Sequence, residues 1–104
     1  MEEVLRSIGD AISIGAPLYN KGTPEGFEAC FRVYEGTSLK FQKGAPCAGV
    51  QKAFDEGISR AGTMQSYKQK AWALRDTFDG LINAFGRWCE QDAACMKKFG
   101  AKKP

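Results

Sequence analysis

The stretch from Met64 to Cys89 has an apolar spacing that constrains the fold more than any other part of the chain. Its apolar residues recur every seven positions in two interleaved series, which are Tyr67, Leu74, Leu81 and Trp88, and then Ala71, Phe78 and Phe85. This is the a/d spacing of a helix that faces a bundle. Because a single amphipathic helix cannot bury its apolar stripe alone, this helix requires partner helices from the same chain or from a second subunit.

Three further segments show helical periodicity, and short polar or Gly- and Pro-containing connections separate them. The predicted helices span residues 2–19, 24–41, 47–61 and 65–90, with a short fifth helix over 93–99. Connections this short place successive helices antiparallel. A chain of 104 residues is also suited to one domain. The sequence therefore predicts an all-α, antiparallel up-down four-helix bundle with a short C-terminal fifth helix, forming a single domain over residues 1–104.

The ends of the first two helices depend on a few residues. Pro17 either ends or kinks the first helix, and the apolar spacing beyond it favours a kinked helix that reaches Tyr19. Thr23 followed by Pro24 predicts the start of the second helix, with a hydroxyl cap and a proline at the first helical position. Gly36 costs about 1 kcal/mol relative to alanine and precedes two weak helix formers. We therefore expect the last turns of the second helix to be irregular or absent.

Some residues of the first helical hairpin resemble the small and aromatic positions of a tetratricopeptide repeat. The matching positions are Gly15, Tyr19, Gly22, Ala29 or Cys30, and Tyr34. The turn over residues 23–26 is longer than in that motif, the leading tryptophan position is not matched, and the third and fourth helices do not repeat the pattern. Because such repeats need about three units to form a stable solenoid, we interpret the resemblance as a shared way of packing two helices and assign no family.

Four cysteines, Cys30, Cys47, Cys89 and Cys95, form an even set in a short chain, which permits two disulfides. We favour Cys30 with Cys47 and Cys89 with Cys95, because each pair closes a local loop. The first pair requires the second helix to end early, and the second pair requires a helix break near Asp92. Disulfides predict a periplasmic or secreted protein, although no signal peptide is recognisable. The alternative is a cytoplasmic protein with small buried cysteines.

The absence of histidine excludes several classes of function. Catalytic Ser-His-Asp and Cys-His groups, and sites in which histidine binds haem or zinc, all require it. The cysteine spacing also contains no Cys-x-x-Cys pair, so no metal site is predicted. The carboxylate pairs Glu28 with Glu35 and Asp76 with Asp79 share helix faces, but basic residues alternate with them as on most solvated surfaces. We therefore predict a non-catalytic protein without a cofactor.

Charge and hydropathy narrow the range of partners. The net charge is only +3 and the lysines are spread along the chain, so a nucleic-acid partner is not indicated. No apolar run approaches the roughly 18 residues that a membrane-spanning helix needs. We therefore expect neither a nucleic-acid partner nor a membrane span.

The aromatic residues are the remaining candidates for a binding site. Trp72 lies off the a/d seam, and Phe31 and Tyr34 do not both point to the same line of the core. The sequence therefore predicts an aromatic groove for a peptide or an apolar ligand, formed by Phe31, Tyr34, Trp72, Phe78 and Phe85. Core packing or a homo-oligomer interface are the alternatives. We expect a module that binds a protein or peptide, or alternatively a carrier of a small apolar ligand in a closed cavity within the bundle.

Overall fold

The computed structural model describes residues 2–45 and 48–91, with side chains in the last helix described through Phe85. These residues form four α-helices, which are α1 (Glu2–Tyr19), α2 (Pro24–Gly44), α3 (Ala48–Gly62) and α4 (Tyr67–Gln91). No strand occurs in these two ranges. The predicted all-α class is therefore confirmed. The fifth helix predicted over 93–99 lies outside the described residues.

Contacts between α1 and α2 show that these two helices run antiparallel. At the end of α1, the ring of Tyr19 packs 4.9 Å from that of Phe27, which lies at the start of α2. At the opposite end, the carboxylate of Glu3 pairs with the ammonium of Lys40 at 3.5 Å. The short turn between the helices contains Gly22 with a φ of 69°, a left-handed conformation that glycine adopts at little cost.

The next two connections also reverse the chain direction. Near the end of α2, Gln42 donates a hydrogen bond from Nε2 to Asp55 of α3 at 2.7 Å. Near the end of α3, the guanidinium of Arg60 donates to the carbonyl oxygen of Ala73 in α4 at 2.8 Å. Successive helices therefore alternate in direction, which makes α2 and α4 parallel to each other.

Helix α2 contacts each of the other three helices, whereas α1 touches α4 at few positions. The rings that join the helices meet around Phe78 of α4. Phe78 lies 5.2 Å from the ring of Tyr34 in α2 and 6.2 Å from that of Phe54 in α3. Phe54 in turn stacks on Phe41 at 5.7 Å. Burial of each of these rings contributes about 1.5–3 kcal/mol, so this aromatic cluster is a main source of stability.

The seam predicted for α4 is confirmed over the described side chains. The buried seam residues are Ala71, Leu74, Phe78, Leu81 and Phe85. Tyr67, at the start of the seam, is partly buried and packs against the core. Trp88 belongs to the same predicted series, but its side chain is not among those described.

The observed helix ends differ from the prediction chiefly in α2. Helix α1 continues through Pro17 to Tyr19, since a proline so near the end removes only one late hydrogen bond. Helix α2 extends to Gly44 rather than becoming irregular after Gly36. Phe41 is 2% exposed and stacks on α3, so packing of the last turns outweighs their low intrinsic helix propensity.

Candidate functional site

The five residues of the predicted aromatic groove lie in different surroundings. Four of them are buried in the core, with exposed fractions of 6% for Phe31, 3% for Tyr34, 0% for Phe78 and 8% for Phe85. Phe31 lies under a surface depression between α2, α3 and α4. Tyr34 and Trp72 line a second depression, which lies between α1 and α4. Two of the five predicted residues therefore line one depression, and a binding role for them stays a prediction.

We call the depression that contains Tyr34 and Trp72 the α1–α4 cleft. It has a volume of about 190 Å³. Its walls are the last turn of α1 and the first turns of α4, and α2 supplies its floor. The lining residues are Ala16, Tyr19, Asn20, Tyr34, Ala71, Trp72 and Arg75.

Trp72 and Tyr19 form the mouth of this cleft. The indole Nε1 of Trp72 donates a hydrogen bond of 2.6 Å to the hydroxyl oxygen of Tyr19, and the rings meet edge to face at 5.7 Å. Tyr19 is supported from below by its ring contact with Phe27. Trp72 nevertheless keeps 48% of its surface exposed. The hydrogen bond to Tyr19 therefore orients the indole while about half of the residue stays exposed to solvent.

Tyr34 provides the floor of the cleft. Its ring fits beneath α1 because Gly15 has no side chain there, and only 3% of the residue is exposed. Burial raises the pKa of Tyr34 to about 12, and the neighbouring Cys30 thiol adds to this rise, whereas the nearby Arg75 guanidinium acts in the opposite direction. The hydroxyl of Tyr34 therefore remains protonated at physiological pH, with Cys30 and Arg75 as its hydrogen-bond partners.

Arg75 closes one side of the cleft and is the charged member of its lining. Its Nε donates to Oδ1 of Asp79, one turn further along α4, at 3.1 Å. This hydrogen bond is the main reason that the pKa of Arg75 is raised above its ordinary value. About a third of the side chain is exposed. Arg75 is therefore fixed by Asp79 and interacts with Tyr34, while the guanidinium stays within reach of a ligand.

The depression over Phe31 is less suited to a ligand, because the cationic side chains of Arg32 and Lys70 already lie over its aromatic ring. Arg32 lies 5.1 Å from the ring centroid of Phe31 and 5.5 Å from that of Tyr67. It donates to Glu35 at 2.9 Å and to the Tyr67 hydroxyl at 3.3 Å. Lys70 donates to the carbonyl oxygen at the end of α3. These side chains cover the aromatic surface and hold the helices together.

The carboxylates that the sequence singled out are mostly ion-paired. Glu35 pairs with Arg32, Asp76 with Arg60, and Asp79 with Arg75. Within residues 2–45 and 48–91, no group of three or more Cys, Asp or Glu side chains is placed to hold a metal ion. The acidic residues of these helices therefore act mainly in contacts between and along helices.

Cys30 is a free thiol in the buried core, and burial raises its pKa. Helix α2 continues for 14 residues beyond it, to Gly44, so the early helix end that a pairing with Cys47 required does not occur. Cys47 and Cys95 lie outside the described residues, as does the side chain of Cys89. The pairing of Cys89 with Cys95 stays a prediction.

Of the cleft residues, sequence reasoning missed Ala16, Tyr19, Asn20, Ala71 and Arg75 as members of a site. One signal was present for Arg75, because it lies three residues after Trp72 and therefore on the same face of a helix. The sequence spacing does not predict that Tyr19 lies near Trp72, since this contact depends on how α1 packs across α2.

The described helices include none with the length and apolar character needed to cross a membrane. Comparison of the chain with protein-family models, curated proteins and solved structures finds no match.

Proposed function

We propose that this chain is an up-down helical bundle, completed by the short fifth helix, that binds a protein or peptide partner and catalyses no reaction. The observation that supports this function is the half-exposed Trp72 at the mouth of the α1–α4 cleft. Tryptophan residues in such positions contribute a large part of the binding energy in many protein interfaces. Because its hydrogen bond to Tyr19 fixes the indole, little conformational entropy is lost when a partner covers it.

The size of the cleft also favours a peptide or protein partner. Pockets that enclose a drug-sized ligand have volumes of about 300–1,000 Å³, whereas the α1–α4 cleft has about 190 Å³. A volume of this order accepts one anchoring side chain, with the remainder of the partner lying on the surface around it. The cleft is thus suited to one residue of a larger partner.

A carrier of an apolar ligand has less support. Such a carrier would need a closed cavity lined by Phe31, Tyr34, Phe78 and Phe85. The rings of Tyr34 and Phe78 instead pack edge to face at 5.2 Å, and both residues are almost fully buried. A ligand between them would have to separate this contact, which favours the peptide-binding function over the carrier.

A phage-displayed peptide selection on the immobilised protein tests this proposal. Recovered peptides are expected to bind the wild type, and Trp72→Ala should weaken them about tenfold or more. Ile14→Ala is the control, because Ile14 is 57% exposed and lies outside the cleft. Peptides that bind Trp72→Ala as tightly as the wild type, or a selection that yields no peptide, would count against the function.

The cellular location and the oligomeric state are separate parts of this proposal. We place the protein in the periplasm or outside the cell because of its four cysteines, with a cytoplasmic location as the alternative. A second copy of the chain is one candidate partner. Light scattering coupled to size exclusion separates this case, since a dimer that uses the cleft should dissociate in Trp72→Ala.

A further inference from the structure

We propose that the α1–α4 cleft recognises the C-terminal residue of a peptide, with its α-carboxylate on Arg75 and its apolar side chain against Trp72. This inference rests on the proposed peptide-binding function and names the ligand chemistry. A C-terminal residue differs from every internal residue because it carries a negatively charged α-carboxylate on the same Cα as its side chain. The residues of the cleft match this combination in charge, hydrogen-bonding character and spacing.

The charge and polar groups of the cleft favour an anion. Arg75 is the charged residue of the lining, and Asp79 pairs with its Nε from outside the lining. The hydroxyl oxygen of Tyr19 accepts a hydrogen bond from Trp72, so its own proton is free to be donated outward. Asn20 adds an amide. A carboxylate would therefore meet several donors and a positive charge.

The guanidinium of Arg75 is also oriented for contact with a carboxylate. Asp79 binds its Nε, while the terminal nitrogens of the guanidinium carry further N–H donors. These donors form the fork that binds both oxygens of a carboxylate. Because Asp79 and Tyr34 already restrict the side chain, binding a ligand costs less conformational entropy than it would at a free surface arginine.

The spacing of the two contacts then selects the kind of carboxylate. Trp72 and Arg75 are three residues apart on α4, so their Cβ atoms are about 5–6 Å apart. Both side chains line the same small cleft, so the anionic and apolar groups of the ligand must fit together in that volume. A C-terminal leucine or phenylalanine carries both groups on one residue, whereas an internal aspartate or glutamate needs a neighbouring residue to supply the apolar group. The volume of about 190 Å³ accepts one such residue.

Fluorescein-labelled hexapeptides that end in leucine or phenylalanine test this inference when each is made with a free carboxylate and with a carboxamide. Fluorescence anisotropy should show that the acid binds the wild type about tenfold or more tightly than the amide. Arg75→Gln should remove this preference. Arg6→Gln removes the same charge at an exposed position of α1 outside the cleft and should leave the preference intact. Trp72→Ala should weaken both peptide forms.

Several outcomes would overturn the inference and leave the proposed function standing. These are equal binding of acid and amide, a preference that survives in Arg75→Gln, and no binding by any hexapeptide while phage-selected peptides still depend on Trp72. Free 3-phenylpropionate binding as tightly as the peptide acid would instead identify a small carboxylic acid as the ligand. The proposed function itself fails only if no selected peptide depends on Trp72. Thermal unfolding of each variant confirms that it is folded.

Discussion

The backbone of α1 at Gly15 lies directly against the ring of Tyr34 in α2. A Cβ atom at position 15 would overlap Cε1 of that ring. The missing side chain lets α1 settle close to α2, which places Tyr19 beside Trp72 and leaves Tyr34 as the floor of the cleft. The binding surface thus depends on this one close approach between helices.

Gly15→Ala is expected to destabilise the protein. Alanine normally gains up to about 1 kcal/mol over glycine inside a helix, but overlap with a packed ring costs about 1–3 kcal/mol. We expect a net loss of roughly 1–2 kcal/mol in the free energy of unfolding, measured by urea denaturation. Gly9→Ala is the matched control in the same helix, since nothing lies within 4 Å of its added Cβ, and it should stabilise the protein. Similar behaviour of the two variants would contradict the close contact.

The buried Tyr34 should make stability depend on pH in the alkaline range. Its pKa rises from 10.0 to about 12 on folding, so between these values the unfolded chain binds fewer protons than the folded one. The contribution of Tyr34 to stability should therefore be constant below pH 10 and fall as the pH rises towards 12. At about 1.4 kcal/mol per unit, the loss approaches roughly 3 kcal/mol.

The measurement is the difference in unfolding free energy between the wild type and Tyr34→Phe, followed by urea denaturation from pH 8 to pH 11.5. Titration of lysines affects both proteins and cancels in this difference. A stability difference that does not change over this range would show that the Tyr34 hydroxyl titrates as in the unfolded chain.

Thr23 caps the start of α2, and its removal should have a local cost. The backbone N–H of Gly26 donates to Oγ1 of Thr23 at 3.0 Å, so Thr23→Ala leaves that donor without its partner. The expected loss is about 1 kcal/mol. Thr37→Ala is the matched control inside the same helix and should be neutral or stabilising, because alanine is the better helix former. Equal effects of the two changes, measured by thermal unfolding, would rule out a specific cap.

The free thiol of Cys30 limits the number of disulfides. One of the four cysteines is free, which leaves three and thus at most one intramolecular bond. Intact mass with and without reductant should therefore differ by no more than two hydrogen atoms in a monomer. Cys30 should react with iodoacetamide only in denaturant, because it is buried and its pKa is raised. A deficit of four hydrogens would restore the pairing of Cys30 with a second cysteine.

The helices were readily predicted because apolar spacing and caps are local properties of the sequence. Thr23 and Pro24 mark the start of α2 as expected, and the seam from Ala71 to Phe85 is buried as predicted. The end of α2 was harder to predict, since its last turns are stabilised by Phe41 stacking on Phe54. That contact joins two helices, and no local propensity encodes it.

The cleft was predicted only in part, because it is formed by contacts between helices that local sequence does not encode. Tyr34 and Trp72 are conspicuous in the sequence, but Tyr19 and Arg75 belong to the site only because α1 and α4 meet at one end. Sequence periodicity gives the buried face of each helix and says little about which helices are neighbours. The order of packing, with α2 in contact with all three other helices, had to come from the structure.

Because α2 packs against both α3 and α4, the chain can be considered as two helical hairpins, α1 with α2 and α3 with α4, that are held together by side-chain contacts. A cut between residues 45 and 48 would separate Tyr34 and Phe41 from Phe54 and Phe78, yet the ring contacts between them require no covalent link. Two separately expressed fragments are therefore expected to recombine into one particle. Neither fragment holds a whole cleft, because Tyr19 belongs to the first and Trp72 to the second. Ligand binding by the mixture would thus report reassembly, as in a split reporter.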